Sequence, residues 1–600
     1  KNNWKYYLEE AQQEAEVQAQ LEAIREEYKN LNPEDIKVID PCMGSGHILV
    51  YCFDVLMQIY EAQGYSQRDA AQSILIHNIY GLDIDDRAAQ LAYFAVMMKA
   101  REYDRRIFSR GIKPHIYAIE ESNSINRSQL KYFGAGMNDV DKTTALSEIE
   151  ELLNTLTDAK EYGSILNVNN YDWDLLHRFA KNTDSDGQMS LDSIGLDDTQ
   201  ELLIQLIDIA QVMAQKYDVV VTNPPYMGGS GMDEKLSKFV KKNYPNSKSD
   251  LFAVFIEKCS QMVKENGYQG MITQHSWMFL SSFENLRKEL LTVDTINMAH
   301  LGARAFEEIG GEVVQTTSFV LRNSHVVNYK GTYCRLIEPN TQQGKEDMFL
   351  AGENRYTSQQ DNFSKIPGSP VAYWVGENFI NNMNRGNPVR EVAHARSGAK
   401  TGKNEVFIHS WWEVSFDKIE LNCSSYDECI DSGMTWFPYN KGGDAKNWYG
   451  NRELVVDFYG GGEHIREYSQ KYGTSIDLNA KDVYFKQGIT WTALTSSRNT
   501  FRFSPKGAAF DSNKGPMVFP CNDNQTYYLL GLFISHVAQY HFKVFNPSIS
   551  LQNGDVDNFP IIDDGKQSTP VILSKINVEL SKSDWDAYET SWDFKKHPLV

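Results

Sequence analysis

Lys37-Val38-Ile39-Asp40-Pro41-Cys42-Met43-Gly44-Ser45-Gly46-His47-Ile48-Leu49 reads as a short apolar strand, a glycine-rich turn and the opening of a helix whose apolar residues recur at helical spacing to Tyr60. Strand, glycine turn and helix is the arrangement that brings a nucleotide-like cofactor against backbone N–H groups. Gly44 and Gly46 let the main chain approach a ligand closely and take φ values closed to other residues. Asp40, at the strand end, can pair with a cationic amino group. The stretch departs from the G-x-G-x-x-G fingerprint of nicotinamide enzymes. It also lacks the Lys-Ser/Thr of a P-loop, so no nucleoside triphosphate is expected.

Two further stretches fit the same scheme. Ile79-Tyr80-Gly81-Leu82-Asp83-Ile84-Asp85 reads as a second strand ending in carboxylates, and an acid there accepts hydrogen bonds from ribose hydroxyls. The distance from Gly46 to Asp83 leaves room for one crossover helix. Tyr217-Asp218-Val219-Val220-Val221-Thr222 is an apolar run that meets Asn223-Pro224-Pro225-Tyr226. The two prolines fix φ and lack an N–H, which stiffens the turn. The Asn223 side-chain oxygen and the Pro224 carbonyl can both accept from one NH₂ group, and Tyr226 offers a flat face to a planar base. Taken singly, each stretch has a bland reading: a tight turn, a solvated cap, a Pro-rich loop. Three of them in order, each at a strand end, make the functional reading the better one.

Together these residues resemble the amino-group DNA methyltransferases that use S-adenosylmethionine. Asp40-Pro41-Cys42-Met43-Gly44-Ser45-Gly46 looks like their D-P-x-x-G-S-G motif, Asp83 matches the second-motif acid, and Asn223-Pro224-Pro225-Tyr226 matches the catalytic motif. Ser249-Asp250-Leu251-Phe252 at a helix start and Gly270 to Trp277, a strand running into a loop, look like later motifs. The motif order resembles the γ class of N6-adenine enzymes. Pro438-Tyr439-Asn440-Lys441-Gly442-Gly443, Trp448-Tyr449-Gly450-Asn451, Phe545-Asn546-Pro547-Ser548 and Asp557-Asn558-Phe559-Pro560 are similar to the PglX family of BREX phage-defence systems.

The resemblance implies an α/β, Rossmann-like S-adenosylmethionine-dependent methyltransferase domain followed by an α+β target-recognition domain. It implies S-adenosyl-L-methionine held by Asp40, Pro41, Gly44, Gly46 and Asp83, and catalysis at Asn223, Pro224, Pro225 and Tyr226. It assigns Phe306 to stack on the flipped adenine opposite Tyr226. The implied partners are double-stranded DNA and other phage-defence proteins.

Six hundred residues exceed a single core, and 41% hydrophobic with 12% aromatic residues indicates a globular chain. No apolar run is long enough to span a bilayer and no signal peptide is visible, so a cytoplasmic, nucleoid-associated protein without membrane contact is expected. The seven cysteines form no C-x-x-C pair, which predicts no structural metal. A start at Lys1, without the family's usual motif before the cofactor strand, points to a piece of a longer chain.

The expected organisation is a helical segment over 1–35, with one long helix to residue 31; a methyltransferase domain over 36–325; a connector over 326–385; a target-recognition domain over 386–565; and a C-terminal segment over 566–600. The net charge of −21 is unevenly placed. Residues 141–210 hold fifteen acidic against four basic side chains, and about 126–210 reads as an exposed acidic insertion, whereas residues 385–550 are about neutral. Phosphate contacts are expected from among Arg396, Lys400, Lys403, Lys441, Lys446, Arg498, Arg502 and Lys506, while Trp411, Trp412, Trp436, Trp448 and Trp491 read as core. Two rival readings remain open: a combined restriction–modification polypeptide, and a DNA-binding defence component in which recognition and assembly outweigh turnover.

Overall fold

The structure, a computed structural model, describes residues 4–183, 195–306, 314–495, 498–546, 550–562, 565, 567–597 and 599; Pro547 and Ser548 of the motif quoted above lie outside them. The chain forms two compact units, Lys1–Ser364 and Lys365–Val600.

The first unit is built on nine strands: β1 (Val38–Asp40), β2 (Ile79–Asp83), β3 (His115–Ala118), β4 (Tyr217–Thr222), β5 (Val263–Gln274), β6 (Asp294–Ala303), β7 (Gln315–Arg322), β8 (Lys330–Arg335) and β9 (Arg355–Gln359). Their order is β3-β2-β1-β4-β5-β7-β6-β8-β9. Strands β1 to β5 pair in parallel, while β7 and β9 run against their neighbours. The chain winds outward from β1 to β3, then returns so that β4 lies on the other flank of β1. That reversal opens a crevice at the carboxyl ends of β1 and β4, where such sheets bind ligands. Helix His47–Ala62 covers one face with Leu49, Phe53, Leu56, Met57 and Tyr60, and it packs on Ala89, Ala92 and Val96 of helix Asp86–Tyr103.

Three expectations are corrected. The N-terminal helix is confined to Ala15–Lys29, where Val17 and Leu21 pack on Ile296, Val326 and Tyr329. Residues before it are tied to β8 by long-range bonds: the Gln13 side-chain amide exchanges bonds with the Lys330 backbone, and the Glu9 carbonyl accepts from Thr332 Oγ1. The supposed connector supplies β8, helix Gln342–Ala351 and β9 to the sheet. Its strands are short and flanked by charged residues, so only their place in the sheet, β8 beside β6 and β9 beside β8, identifies them. The acidic stretch is a helical lobe rather than a solvated insertion. Ile149, Leu152 and Leu153 of helix Asp139–Thr155, Leu176 and Phe179 of helix Trp173–Lys181, and Leu203, Leu206 and Ile207 of helix Leu196–Ala214 are all fully buried.

The second unit holds two four-stranded sheets. One is ordered Ala393–Arg396, Met517–Pro520, Gly488–Trp491, Phe501–Ser504; the other Ile408–Ser410, Leu454–Asp457, Trp436–Asn440, Ala509–Phe510. Helices Asp523–Ile534, His536–Phe545 and Ser568–Trp585 bury Leu529, Phe533, Phe542, Val578 and Trp585 in one core with Ile489, Trp491, Phe501 and Val518. Residues 568–585 therefore belong to this core. Among the described residues no helix is long and apolar enough to cross a membrane.

Candidate active site

The crevice is built from the ends of three adjacent strands. β1 and β4 run side by side, with Val38 opposite Val219 and Ile39 opposite Val220. Thr222, the last residue of β4, donates its hydroxyl to Asp40 Oδ1 at 2.7 Å. One buried hydrogen bond thus joins the end of the cofactor strand to the residue preceding Asn223.

Asp40 is 1% exposed. Its Oδ1 also accepts the Cys42 N–H at 3.0 Å, while Oδ2 is buried without a partner. Burial pushes the carboxyl up to about 7, against the pull of the Thr222 and Cys42 bonds. A buried carboxylate oxygen lacking a donor is costly on its own, and it fits the ammonium group of an amino-acid-like cofactor. Asp83 accepts the Gly44 N–H at 2.9 Å on one oxygen and the Asp85 N–H at 3.0 Å on the other. Each oxygen keeps a lone pair for a ribose hydroxyl, and the same side chain fixes the glycine turn, a second task that its position in the sequence does not reveal. Gly44 and Gly46 have φ of +52° and +83°. A Cβ at Gly46 would lie 2.9 Å from Ala92, whereas one at Gly44 would project into open space, so the turn is tight against the helix and clear on its outer side. The Pro41 carbonyl accepts the Ser164 hydroxyl at 2.6 Å.

Beyond β4, Pro224 is buried while Asn223 and Pro225 are exposed. The Tyr226 hydroxyl donates to Asn223 Oδ1 at 3.3 Å, and burial pushes the phenol up to about 12, so it stays protonated at neutral pH. The Tyr226 ring meets Phe252 edge-on, with centroids 6.0 Å apart. Asp250 Oδ1 accepts the Met227 N–H at 3.0 Å and caps helix Leu251–Met262, and the Leu251 N–H donates to the Met227 carbonyl at 3.0 Å. The turn is therefore held at both ends, by β4 and by this helix. The clamping roles of Thr222 and Asp250 escape sequence reasoning; the only signal is the acid directly before Leu251, a helix-cap pattern.

Phe306 lies three residues past the end of β6. β6 runs in the direction of β4, so Phe306 emerges at the same sheet edge as Asn223. Two strands, β5 and β7, lie between β4 and β6 in the sheet. Phe306 lines a separate cavity of about 830 Å³ with Trp4, Tyr51, Ile272, Leu301 and Phe349.

In the second unit, Arg502 is 1% exposed and donates to the Gly442 and Lys446 carbonyls and to Thr492, which removes it as a surface phosphate contact. Arg396 is paired with Asp482 and Lys403 with Glu405, and Lys446 lies 4.6 Å over the Trp585 ring. Trp491 is fully buried, as read, whereas Trp412 is 51% exposed. Among the described residues, no group of three or more His, Cys, Asp or Glu side chains is placed to hold a metal ion.

Known proteins share this arrangement. Residues 77–303 match the Eco57I restriction-modification methylase profile, and residues 9–129 match the DNA-methyltransferase domain of MmeI. The chain is 38% identical over 611 residues to the adenine-specific methyltransferase PglX of Lacticaseibacillus casei (strain Zhang), covering all of this chain and 49% of that protein. It is 39% identical over 619 residues to the adenine-specific methyltransferase BrxX of Escherichia coli O9:H4 (strain HS), covering all of this chain and 50% of that one. Its fold is like that of the Type IIL restriction-modification enzyme MmeI, solved in complex with DNA (TM-score 0.53, 11% identity, 96% of this chain and 70% of that chain). It is also like that of the Type ISP enzyme LlaGI (TM-score 0.51, 12% identity, 93% of this chain and 45% of that chain). All of this chain is thus similar to the adenine-specific methyltransferases PglX and BrxX, and it spans about half the length of these two curated relatives.

Proposed function

We propose that this protein is a site-specific DNA adenine N6-methyltransferase that uses S-adenosyl-L-methionine and marks host DNA, with other phage-defence proteins, in a BREX-type system. The observation that carries the reading is the Thr222–Asp40 hydrogen bond, which sets the exposed Asn223 turn beside an orphaned buried carboxylate oxygen.

Adenine N6 is out of reach inside a duplex, so the base is extruded at a cost of a few kcal/mol. Stacking on the Tyr226 face offsets about 1–3 kcal/mol of that. The weak Tyr226-to-Asn223 bond opens, and Asn223 Oδ1 and the Pro224 carbonyl accept the two N6 hydrogens. These bonds draw the nitrogen lone pair out of the ring and aim it in line. S-adenosylmethionine supplies a sulfonium-activated methyl group when bound. Asp40 would hold its ammonium group on Oδ2 and Asp83 its ribose hydroxyls, and the outer side of Gly44 leaves room for it. Positioning and electrostatics carry the step, without a covalent enzyme intermediate. The half-buried Cys42 thiol is pushed well up by desolvation and takes no part as a nucleophile.

Incubation of the purified protein with radiolabelled cofactor and unmethylated host DNA, followed by long-read sequencing, is expected to place label on adenine N6 at one recurring sequence. Asn223→Ala is expected to lose transfer by more than ~100-fold while binding S-adenosylhomocysteine as the parent does. Label on another base, or transfer that survives the substitution, overturns the reading.

A further inference from the structure

The segment 158–167, inside the lobe that composition alone marks as a solvated insertion, contacts the chain just past β1 and β2 and a helix that follows the Asn223 turn. Gly163 approaches so closely that a Cβ there would lie 2.7 Å from Ile84, the residue after Asp83. The Ser164 hydroxyl, 4% exposed, donates to the Pro41 carbonyl in the cofactor turn at 2.6 Å. The Ile165 carbonyl accepts the hydroxyl of Tyr244, itself fully buried. The Leu166 carbonyl and Asn167 Oδ1 accept Lys258 Nζ at 2.7 and 2.8 Å. Lys258 is 4% exposed and sits on helix Leu251–Met262, whose capping residue Asp250 holds the chain just after Tyr226. Further out, Tyr162 stacks on Phe239 with centroids 4.4 Å apart, and Lys235 pairs with Asp158 at 2.9 Å.

A buried lysine whose bonds run only to neutral acceptors is an expensive feature for packing alone. Its head group joins the lobe to the helix behind the amine-binding turn, and three residues earlier Ser164 joins the lobe to the cofactor turn. We infer that Ser164 and Lys258 are positioning residues, forming a brace that fixes the separation of the cofactor turn from the Asn223 turn so that donor and base meet at reacting distance. The inference rests on the methyltransferase reading above. An error of about 1 Å in such a separation costs up to ~100-fold in rate without loosening either ligand much.

The test measures kcat, KM for DNA and S-adenosylhomocysteine affinity for the parent, Ser164→Ala, Ser164→Thr, Lys258→Met and the Ser164→Ala/Lys258→Met double variant, each well below its melting temperature. Both single variants are expected to lose about 10- to 100-fold in kcat with KM for DNA within twofold, Ser164→Thr to retain kcat, and the double variant to lose little more than the worse single one, because both sit on one brace. Unchanged kcat in Ser164→Ala and Lys258→Met, or losses that simply multiply, overturn the brace while leaving the methyltransferase reading intact. An inactive parent that binds no S-adenosylhomocysteine overturns that reading instead.

Discussion

Asp40→Asn tests the electrostatics of the crevice, and its sign reverses with pH. Burial lifts the Asp40 carboxyl from 3.8 to about 7. A carboxyl whose pKa is raised binds its proton more tightly in the folded than in the unfolded chain, so stability without cofactor falls as pH rises from about 4 to 7. A shift of about 3 units corresponds to ~4 kcal/mol, fully felt above pH 7. Asparagine removes that penalty at every pH. It also puts an N–H₂ where Oδ2 lies buried and unpartnered, at a cost of ~1–3 kcal/mol. The cofactor-free variant should therefore be more stable than the parent by ~1–3 kcal/mol at pH 8 and less stable by a similar amount below about pH 4. Cofactor binding should move the other way. An ammonium group placed on Oδ2 favours the ionised carboxylate, so parent affinity for S-adenosylhomocysteine should climb up to tenfold per pH unit from pH 5 to 7. The variant should bind more weakly and with a flat profile over that range. Calorimetric melting and titration calorimetry read both quantities on the same samples. A variant that binds as tightly as the parent at pH 7.5, or melting curves that fail to cross between about pH 4 and 7, would refute the assignment of Asp40 to the ammonium group.

Tyr226→Phe should keep most of the stacking and lose only the hydroxyl that holds Asn223 Oδ1 at 3.3 Å, so its rate should stay within a few fold of the parent; Tyr226→Ala should weaken transfer by ~1–3 kcal/mol, about 5- to 150-fold in kcat/KM. Gly81→Ala would set a Cβ 2.4 Å from Met43 Sδ and 2.7 Å from Leu49. Thermal melts should show a loss of ~1–3 kcal/mol, with cofactor affinity falling because Met43 lies within the turn.

The strands that bear the site were legible because each is an apolar run ending in residues that apolar packing does not explain. β4 coincides with Tyr217–Thr222, and β1 and β2 end at Asp40 and Asp83. The contacts that turn those strand ends into a crevice were not legible. Thr222 and Asp40 are 182 positions apart, and only the reversal in strand order brings them together. The Gly44 N–H on Asp83 is a similar case, a loop held by a side chain 39 positions away. Arg502 was misread for another reason: in sequence an arginine in a recognition domain looks like a phosphate contact, and only the surrounding Gly442 and Lys446 carbonyls show that its donors are already engaged.

The acidic lobe exposes the weak point of reading charge along a chain. Residues 1–364 carry a net −18, with 35 basic against 53 acidic side chains, and residues 365–600 a net −3, with 24 against 27. Over this lobe the exposed acids mark the outer face of helices whose inner faces are mostly apolar: Asp139, Glu150 and Glu151 share one helix with buried Ala145, Ile149, Leu152 and Leu153. Net charge records the wet face alone, so it cannot separate a solvated insertion from an amphipathic lobe; helical periodicity can. The distribution also answers the objection that so acidic a chain should repel DNA. The excess negative charge sits on the unit that carries the crevice, where it favours a cationic sulfonium cofactor, whereas the second unit is close to neutral and opposes a polyanion little. If this division matters, neutralising exposed acids of the lobe, for instance Asp139→Asn with Asp141→Asn, should leave DNA affinity unchanged at any salt concentration. A marked gain in DNA affinity at low salt would instead make the lobe part of the DNA-facing surface.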